Sequence, residues 1–112
     1  MIKAIIFDLD NTLLDFVKMK RFAVRAAVTA MNEAGLGVDE KKAFDDIFDL
    51  YLNKGWEHQQ VFDDYLQQTT GKVSNKVLAA GIVSYRRARE ATLLVYPNVN
   101  KTLIELLKMG IK

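Results

Sequence analysis

The 112-residue sequence contains no cysteine, which excludes a disulfide framework and a metal site built from thiolates. It has one histidine, so a histidine metal cluster is excluded as well. No apolar run approaches the roughly 18 residues of a membrane-spanning helix. Sixteen basic residues stand against fourteen acidic ones, and this small excess gives no electrostatic reason to expect a nucleic-acid or membrane-surface partner.

The composition that remains is that of an ordinary globular protein. Half of the residues are hydrophobic and 27% are charged, which excludes wholesale disorder, and the length suits one small domain. The apolar N-terminal stretch is too short for a signal peptide and is interrupted by Lys3. We therefore expect a soluble, cytoplasmic protein with no membrane segment.

Residues 2–7 form a short apolar run that ends at the polar cluster beginning with Asp8. Its length and its β-branched residues predict a strand, and the lack of alternation predicts that both faces are buried, as in a parallel sheet between helices. The sequence offers this strand no partner. Its backbone would therefore be free to pair with another copy of the chain, which makes a homo-oligomer a possibility.

The rest of the sequence has the periodicity of α-helices. Apolar residues recur every three or four positions, and turn residues such as Gly35 and Gly71 interrupt the pattern. The pattern predicts five helices, over residues 16–34, 40 to about 53, 57–69, 74–91 and 98–109. The first four would bury their apolar stripes against one another as a bundle, and the only proline, Pro97, separates them from the fifth.

Two aspartates, Asp8 and Asp10, follow the predicted strand. Residues two apart in an extended chain point to the same side, and open α/β sheets bind ligands beyond the carboxyl ends of their strands. Two close carboxylates can bind a hard cation such as Mg²⁺, and they can divide the roles of nucleophile and proton donor in phosphoryl transfer. Aspartates in ordinary turns also accept backbone N–H groups, so the pair alone leaves both interpretations open.

The longer string from Ile5 to Asp15 resembles the first motif of the haloacid dehalogenase-like hydrolase superfamily, with an apolar strand, D-x-D-x-T and then L-x-D. The four predicted helices behind it look like the helical cap of the phosphoglycolate-phosphatase-like branch. The resemblance implies an α/β fold of which this mostly helical chain holds the N-terminal portion. That portion would comprise the first core strand and its loop (1–15), a four-helix cap (16–95) and a return linker with one core helix (96–112).

The resemblance also implies roles for the residues of this motif. Asp8 would be the nucleophile that becomes an aspartyl-phosphate, and also a Mg²⁺ ligand. Asp10 would be the general acid and base, with its backbone carbonyl on the metal, and Thr12 would hold the loop at the substrate site. An aspartate at position 10 favours phosphate esters over haloacids, so we expect a small phosphorylated metabolite as substrate. Asn11 stands where glycine is frequent in the family.

Four further residues are candidates for contact with the substrate. Cap loops face the active site in the family, which makes Trp56 and His58 candidates, although they could equally be a packing tryptophan and a surface histidine. Lys18 and Arg21 lie early in the first predicted cap helix and could reach an anionic group. Such residues also commonly form a solvated helix face.

The motifs that the family needs later in the chain have no match here. They comprise a serine or threonine after a second core strand, a lysine and a further acidic cluster. We therefore expect a Mg²⁺-dependent phosphate-monoester hydrolase as the parent protein and an inactive product from these residues alone. Two alternatives stay open, a non-catalytic helical module that self-associates and a split enzyme that a partner completes in trans.

Overall fold

The computed structural model describes residues 1–10 and 12–112, so the interpretation of Asn11 lies outside the described residues. In the described chain the regular structure consists of five α-helices, with no assigned β-strand. This agrees with the expectation of a mostly helical chain. The helices are α1 (Phe16–Glu33), α2 (Glu40–Lys54), α3 (Val61–Thr70), α4 (Asn75–Thr92) and α5 (Val99–Lys108). No helix within these ranges is long and apolar enough to cross a membrane.

Local sequence signals set several of the helix ends. The Asp15 carboxylate accepts the backbone N–H of Lys18 at 3.2 Å at the start of α1, and Asp39 accepts that of Lys42 at 2.9 Å at the start of α2. Gly71 ends α3 in the left-handed conformation, with φ of 77°, which glycine adopts without steric cost. The predicted start of the third helix is the main discrepancy, because α3 begins at Val61 rather than at residue 57.

Helices α1 to α4 form the predicted bundle. Each packs against the next and α4 returns to α1, and the α1–α4 contact is the most extensive of the four. Tyr51, Phe62 and Tyr65 are buried in this core, as their helical spacing predicts. The largest side chains with less than 2% exposure are Met31, Ile47, Leu66, Val24, Val28 and Val61.

Gly81 brings α4 close to α1. A Cβ atom at this position would lie 2.9 Å from both Cγ and Sδ of Met31, which is closer than carbon atoms normally approach. Met31 is itself fully buried, so its side chain has little room to move away. The absence of a side chain at position 81 therefore sets the separation of the two longest helices.

The N-terminal segment and α5 lie outside the bundle. Residues 2–7 are exposed, with Ile6 at 98%, so the expected burial of this segment is not observed. The reason is that neither a sheet nor a helix layer covers the segment within the described chain. Helix α5 packs against none of the other described helices. The radius of gyration is accordingly 18.0 Å, whereas a compact domain of this length would have about 13 Å.

The backbone of residues 3–5 has one partner, which the sequence analysis did not foresee. The Lys112 N–H donates to the carbonyl of Lys3 at 3.0 Å, and the Ile5 N–H donates to the carbonyl of Lys112 at 2.9 Å. Lys112 thus donates to the residue before Ala4 and accepts from the residue after it. This is the hydrogen-bond pattern between parallel strands. The expectation that residues 2–7 have no partner in the sequence is therefore corrected at this point.

Two short segments run side by side where the bundle joins the rest of the chain. The Asp15 N–H donates to the carbonyl of Leu94 at 2.8 Å, and the Tyr96 N–H donates to that of Leu13 at 2.9 Å. Leu14 and Val95 form an antiparallel bridge between these two bonds. The crossing lies beside the boundaries proposed after residues 15 and 95, and the division into domains itself stays a prediction.

Candidate active site

The two aspartates lie in a tight turn between the N-terminal segment and α1, which we call the aspartate loop (residues 8–10 and 12–15). The Leu9 carbonyl accepts the backbone N–H groups of Leu13 at 3.1 Å and Leu14 at 3.2 Å, which closes the turn. The Thr12 hydroxyl donates to Oδ2 of Asp8 at 3.4 Å. Thr12 thus contacts the carboxylate that the family motif marks as nucleophile, and both aspartates are open to solvent.

The aspartate loop carries two carboxylates of the kind that bind hard cations. Carboxylate oxygens are ligands that Mg²⁺ prefers, and Mg²⁺ commonly takes one or two carboxylates together with water and substrate oxygens. The residues at positions 8 and 10 fit that chemistry. Across residues 1–10 and 12–112, however, no three His, Cys, Asp or Glu side chains gather closely enough to form a metal cluster. A third acidic ligand is therefore not supplied by the described residues.

Trp56 lies in the connection between α2 and α3, which we call the cap loop (residues 55–60). Its indole stacks on the ring of Tyr51, with centroids 5.8 Å apart, and meets the edge of Phe16 at 6.1 Å. Phe16 opens α1 and directly follows the aspartate loop. The cap loop therefore packs at the end of the bundle that is joined to the two aspartates.

His58 connects the cap loop to α3. Its Nε2 lies 2.7 Å from Oδ2 of Asp64, and the Lys54 ammonium donates to the same oxygen at 2.6 Å. Hydrogen bonds from Lys54 and then His58 lower the pKa of the Asp64 carboxyl. The His58 ring is engaged in this contact with Asp64, and its role as a substrate ligand stays a prediction.

Lys18 and Arg21 are exposed residues of α1. They line a shallow depression of about 370 Å³ that begins at Asp15 and also includes Arg25. The structure therefore places the two basic candidates next to the aspartate loop but does not group them with the two cap-loop candidates.

The sequence does not single out Lys20, which is the buried charged residue of the described chain, with 6% exposure. Its Nζ donates to the carbonyl of Trp56 at 3.0 Å and to the hydroxyl of Tyr85 at 2.6 Å. The same ammonium lies 4.0 Å from the centroid of the Tyr51 ring, within the range of a cation–π interaction. Its position one turn after Phe16, on the buried side of α1, was the available signal.

The surroundings of Lys20 disfavour its charge. Burial lowers the pKa of Lys20 to about 8, the positive charge of Arg89 acts in the same direction, and Glu57 opposes it. The ring of Tyr51 and the hydroxyl of Tyr85 contact the same ammonium, and burial raises the pKa of both tyrosines. Near neutral pH the bundle therefore contains a buried ammonium in contact with two uncharged tyrosines.

Lys20 should give the stability of the bundle a distinctive pH dependence. Since the folded state binds this proton less tightly than the unfolded chain, the free energy of unfolding should rise between the folded pKa of about 8 and the ordinary value of 10.5. From pH 7 to pH 9.5 the gain over Lys20→Met should be about 1–2 kcal/mol. Urea unfolding of both proteins at the two pH values measures this gain, and parallel pH dependences would contradict it.

The chain belongs to the haloacid dehalogenase-like hydrolase family, whose model matches residues 2–112. This confirms the resemblance drawn from the motif after the N-terminal segment.

The curated relatives are more specific. The chain is 38% identical over 112 residues to the glyceraldehyde 3-phosphate phosphatase of Methanocaldococcus jannaschii, which covers all of this chain and 49% of the relative. It is 37% identical to the protein of the same name from Methanopyrus kandleri, again over all of this chain and 49% of the relative. The protein of that name from Pyrococcus abyssi is 34% identical over 98% of this chain and 46% of its own length. The chain thus spans about half the length of these relatives.

Proposed function

We propose that this chain carries the nucleophile loop and the helical cap of a phosphate-monoester hydrolase. The observation that supports this most is the aspartate loop, in which the Thr12 hydroxyl donates to the exposed Asp8 carboxylate. The family match of the chain agrees with this interpretation. The cap loop, which packs at the same end of the bundle, supports it further. The relatives' name indicates a small phosphorylated metabolite such as glyceraldehyde 3-phosphate as substrate.

In the proposed reaction a carboxylate oxygen of Asp8 attacks the phosphorus of the ester. The new Asp8–phosphorus bond forms as the bond to the ester oxygen breaks, and Asp10 gives its proton to the departing oxygen. Water then attacks the aspartyl-phosphate while Asp10 takes the water's proton. Inorganic phosphate leaves, and both carboxyl groups return to their starting states.

Asp8 and Asp10 would hold a Mg²⁺ ion, which supplies stabilisation of the charge on the transferring phosphoryl group when bound. The described residues would contribute the Asp8 carboxylate and the Asp10 backbone carbonyl to that site, and the relatives are about twice as long as this chain. We infer that the remaining metal and phosphate ligands come from residues outside this sequence, so these residues alone should be inactive. Phosphate release from glyceraldehyde 3-phosphate, with and without Mg²⁺, by the product of the complete reading frame tests the proposed activity.

Asp10→Asn should show whether Asp10 is the proton donor, because it removes the acid and leaves the nucleophile Asp8 in place. Loss of a general acid costs about 10²–10⁴-fold in rate, and the loss grows with the basicity of the leaving oxygen. We therefore expect a large fall in kcat with an alkyl phosphate and a distinctly smaller fall with an aryl phosphate that carries an electron-withdrawing group. Steady-state rates with the two substrates provide the comparison. Equal losses on both would rule out Asp10 as the group that protonates the leaving oxygen.

A second function is favoured by the apolar surface outside the bundle. Exposed apolar side chains occur in the linker and on α5, including Leu94, Ile104 and Leu107. Such a surface suits association with a second copy or with a partner chain that completes the enzyme in trans. Sedimentation of these 112 residues distinguishes the cases, because a strictly monomeric species argues against self-association.

The cytoplasmic location stays a prediction from the sequence.

A further inference from the structure

The buried ammonium of Lys20 links three parts of the bundle. Lys20 lies on α1, its Nζ donates to the Trp56 carbonyl in the cap loop, and it also donates to the hydroxyl of Tyr85 on α4. The cap loop is otherwise tied down at its far end by His58, which contacts Asp64. Lys20 therefore holds the half of the loop that lies next to Phe16 and the aspartate loop.

The chemistry at position 20 requires a donor. The Trp56 carbonyl can only accept hydrogen bonds, and a carbonyl that is shielded from water and has no donor is destabilising. A lysine can serve this carbonyl and the Tyr85 hydroxyl together because its ammonium has three N–H donors on a flexible stem. An apolar residue of similar length would fill the space but leave the loop carbonyl unsatisfied.

Stability alone does not account for a lysine at this site. Removing an ammonium from water is costly, and apolar replacements of buried charged groups are often neutral or stabilising. The neighbouring buried positions of α1, Met19, Ala23 and Val24, are apolar. What Lys20 adds is a specific bond to one point of the cap loop.

We propose that Lys20 is a positioning residue that fixes the cap loop, and with it the Trp56 side chain, against the end of α1 next to the aspartate loop. This inference rests on the proposed function, in which that end of the cap faces the phosphorylated substrate. Lys20 itself need not touch the substrate. It acts by holding Trp56 in the wall of the site.

Trp56 is the only tryptophan of the sequence, so its fluorescence reports on the cap loop without any need for activity. In Lys20→Met the released loop should expose the indole, and acrylamide quenching should increase about twofold, as expected for a segment that opens locally. Lys18→Met is the matched control, because it removes an exposed lysine from the same turn of α1. Quenching of this control should equal that of the parent chain.

Steady-state kinetics of the protein encoded by the complete reading frame supply the second readout. Lys20→Met should lower kcat/KM for glyceraldehyde 3-phosphate by about tenfold or more, chiefly through KM, since the wall of the site is displaced while Asp8 and Asp10 are intact. Lys41→Met, which removes an exposed lysine of α2, should leave it unchanged. Lys20→Gln keeps a shorter donor and should fall between the parent and Lys20→Met, and it replaces Lys20→Met if circular dichroism shows that variant to be unfolded.

The two readouts separate the possible failures. Unchanged quenching in a folded Lys20→Met overturns the positioning role, and so does increased quenching with unaltered KM and kcat. A parent protein with no phosphatase activity overturns the proposed function instead, while the quenching comparison still decides whether Lys20 fixes the loop.

Discussion

Asp8→Asn is expected to abolish phosphate-ester hydrolysis by the complete reading frame, with a loss on the order of 10⁴-fold or more in kcat. The physical reason is that the amide has no anionic oxygen with which to attack phosphorus, although its shape matches that of the carboxylate. The Thr12 hydroxyl, which donates to Asp8 Oδ2, can still donate to the amide oxygen. The loss should therefore occur without a change in the folded loop. Phosphate release from glyceraldehyde 3-phosphate and from an aryl phosphate measures it.

Asp45→Asn is the matched control for this experiment. Asp45 is an exposed residue of α2, so the substitution removes one negative charge without touching the aspartate loop. Its rate should equal that of the parent protein, and the melting temperatures of all three proteins should agree. An Asp8→Asn protein that keeps the parental rate would show that the nucleophile is another group.

Gly81→Leu is expected to have a large effect on stability, because it places a side chain where α4 meets Met31. Leucine is a good helix former, so helix propensity would favour the substitution. Overpacking of a tight core contact commonly costs about 1–3 kcal/mol, and here the first added atom already lies 2.9 Å from Met31 Cγ. We therefore expect a net loss in the free energy of unfolding, measured by urea denaturation.

A double-mutant cycle attributes this loss to the α1–α4 contact. Met31→Ala removes a fully buried side chain and should cost about 2–5 kcal/mol alone. Combined with Gly81→Leu, the cavity accepts the new leucine, and the double variant should be more stable than the sum of the two losses by about 1 kcal/mol or more. Strict additivity would show that residues 31 and 81 are not in contact.

The helical part of the fold could be predicted from the sequence because its signals are local. Capping aspartates such as Asp15, stop signals such as Gly71 and apolar residues at helical spacing each act within a few positions of the chain. The start of α3 could not be predicted in this way. Residues 57–60 are polar and compatible with a helix turn. Tertiary contacts hold the segment as a loop instead, because Trp56 packs against Phe16 of α1 and His58 bonds to Asp64 of α3.

Long-range pairing accounts for what the sequence did not predict. A run of apolar residues such as 2–7 becomes a buried strand only when other strands and helices cover it, and in the described chain Lys112 alone pairs with its backbone. Lys20 belongs to the same category, because its partners Trp56 and Tyr85 lie 36 and 65 residues further along the chain. The two aspartates were identifiable only because D-x-D-x-T is a contiguous motif.

Asp8 should form a covalent bond to phosphorus during turnover, and chemical trapping can detect that bond. The product of the complete reading frame is mixed with glyceraldehyde 3-phosphate and Mg²⁺, quenched during turnover and treated with borohydride, which reduces an acyl phosphate to an alcohol. Mass spectrometry of the N-terminal peptide should then show homoserine in place of Asp8, and Asp8→Asn should show no conversion. Substrate turnover with Asp8 unmodified, or conversion of another aspartate, would contradict the assignment.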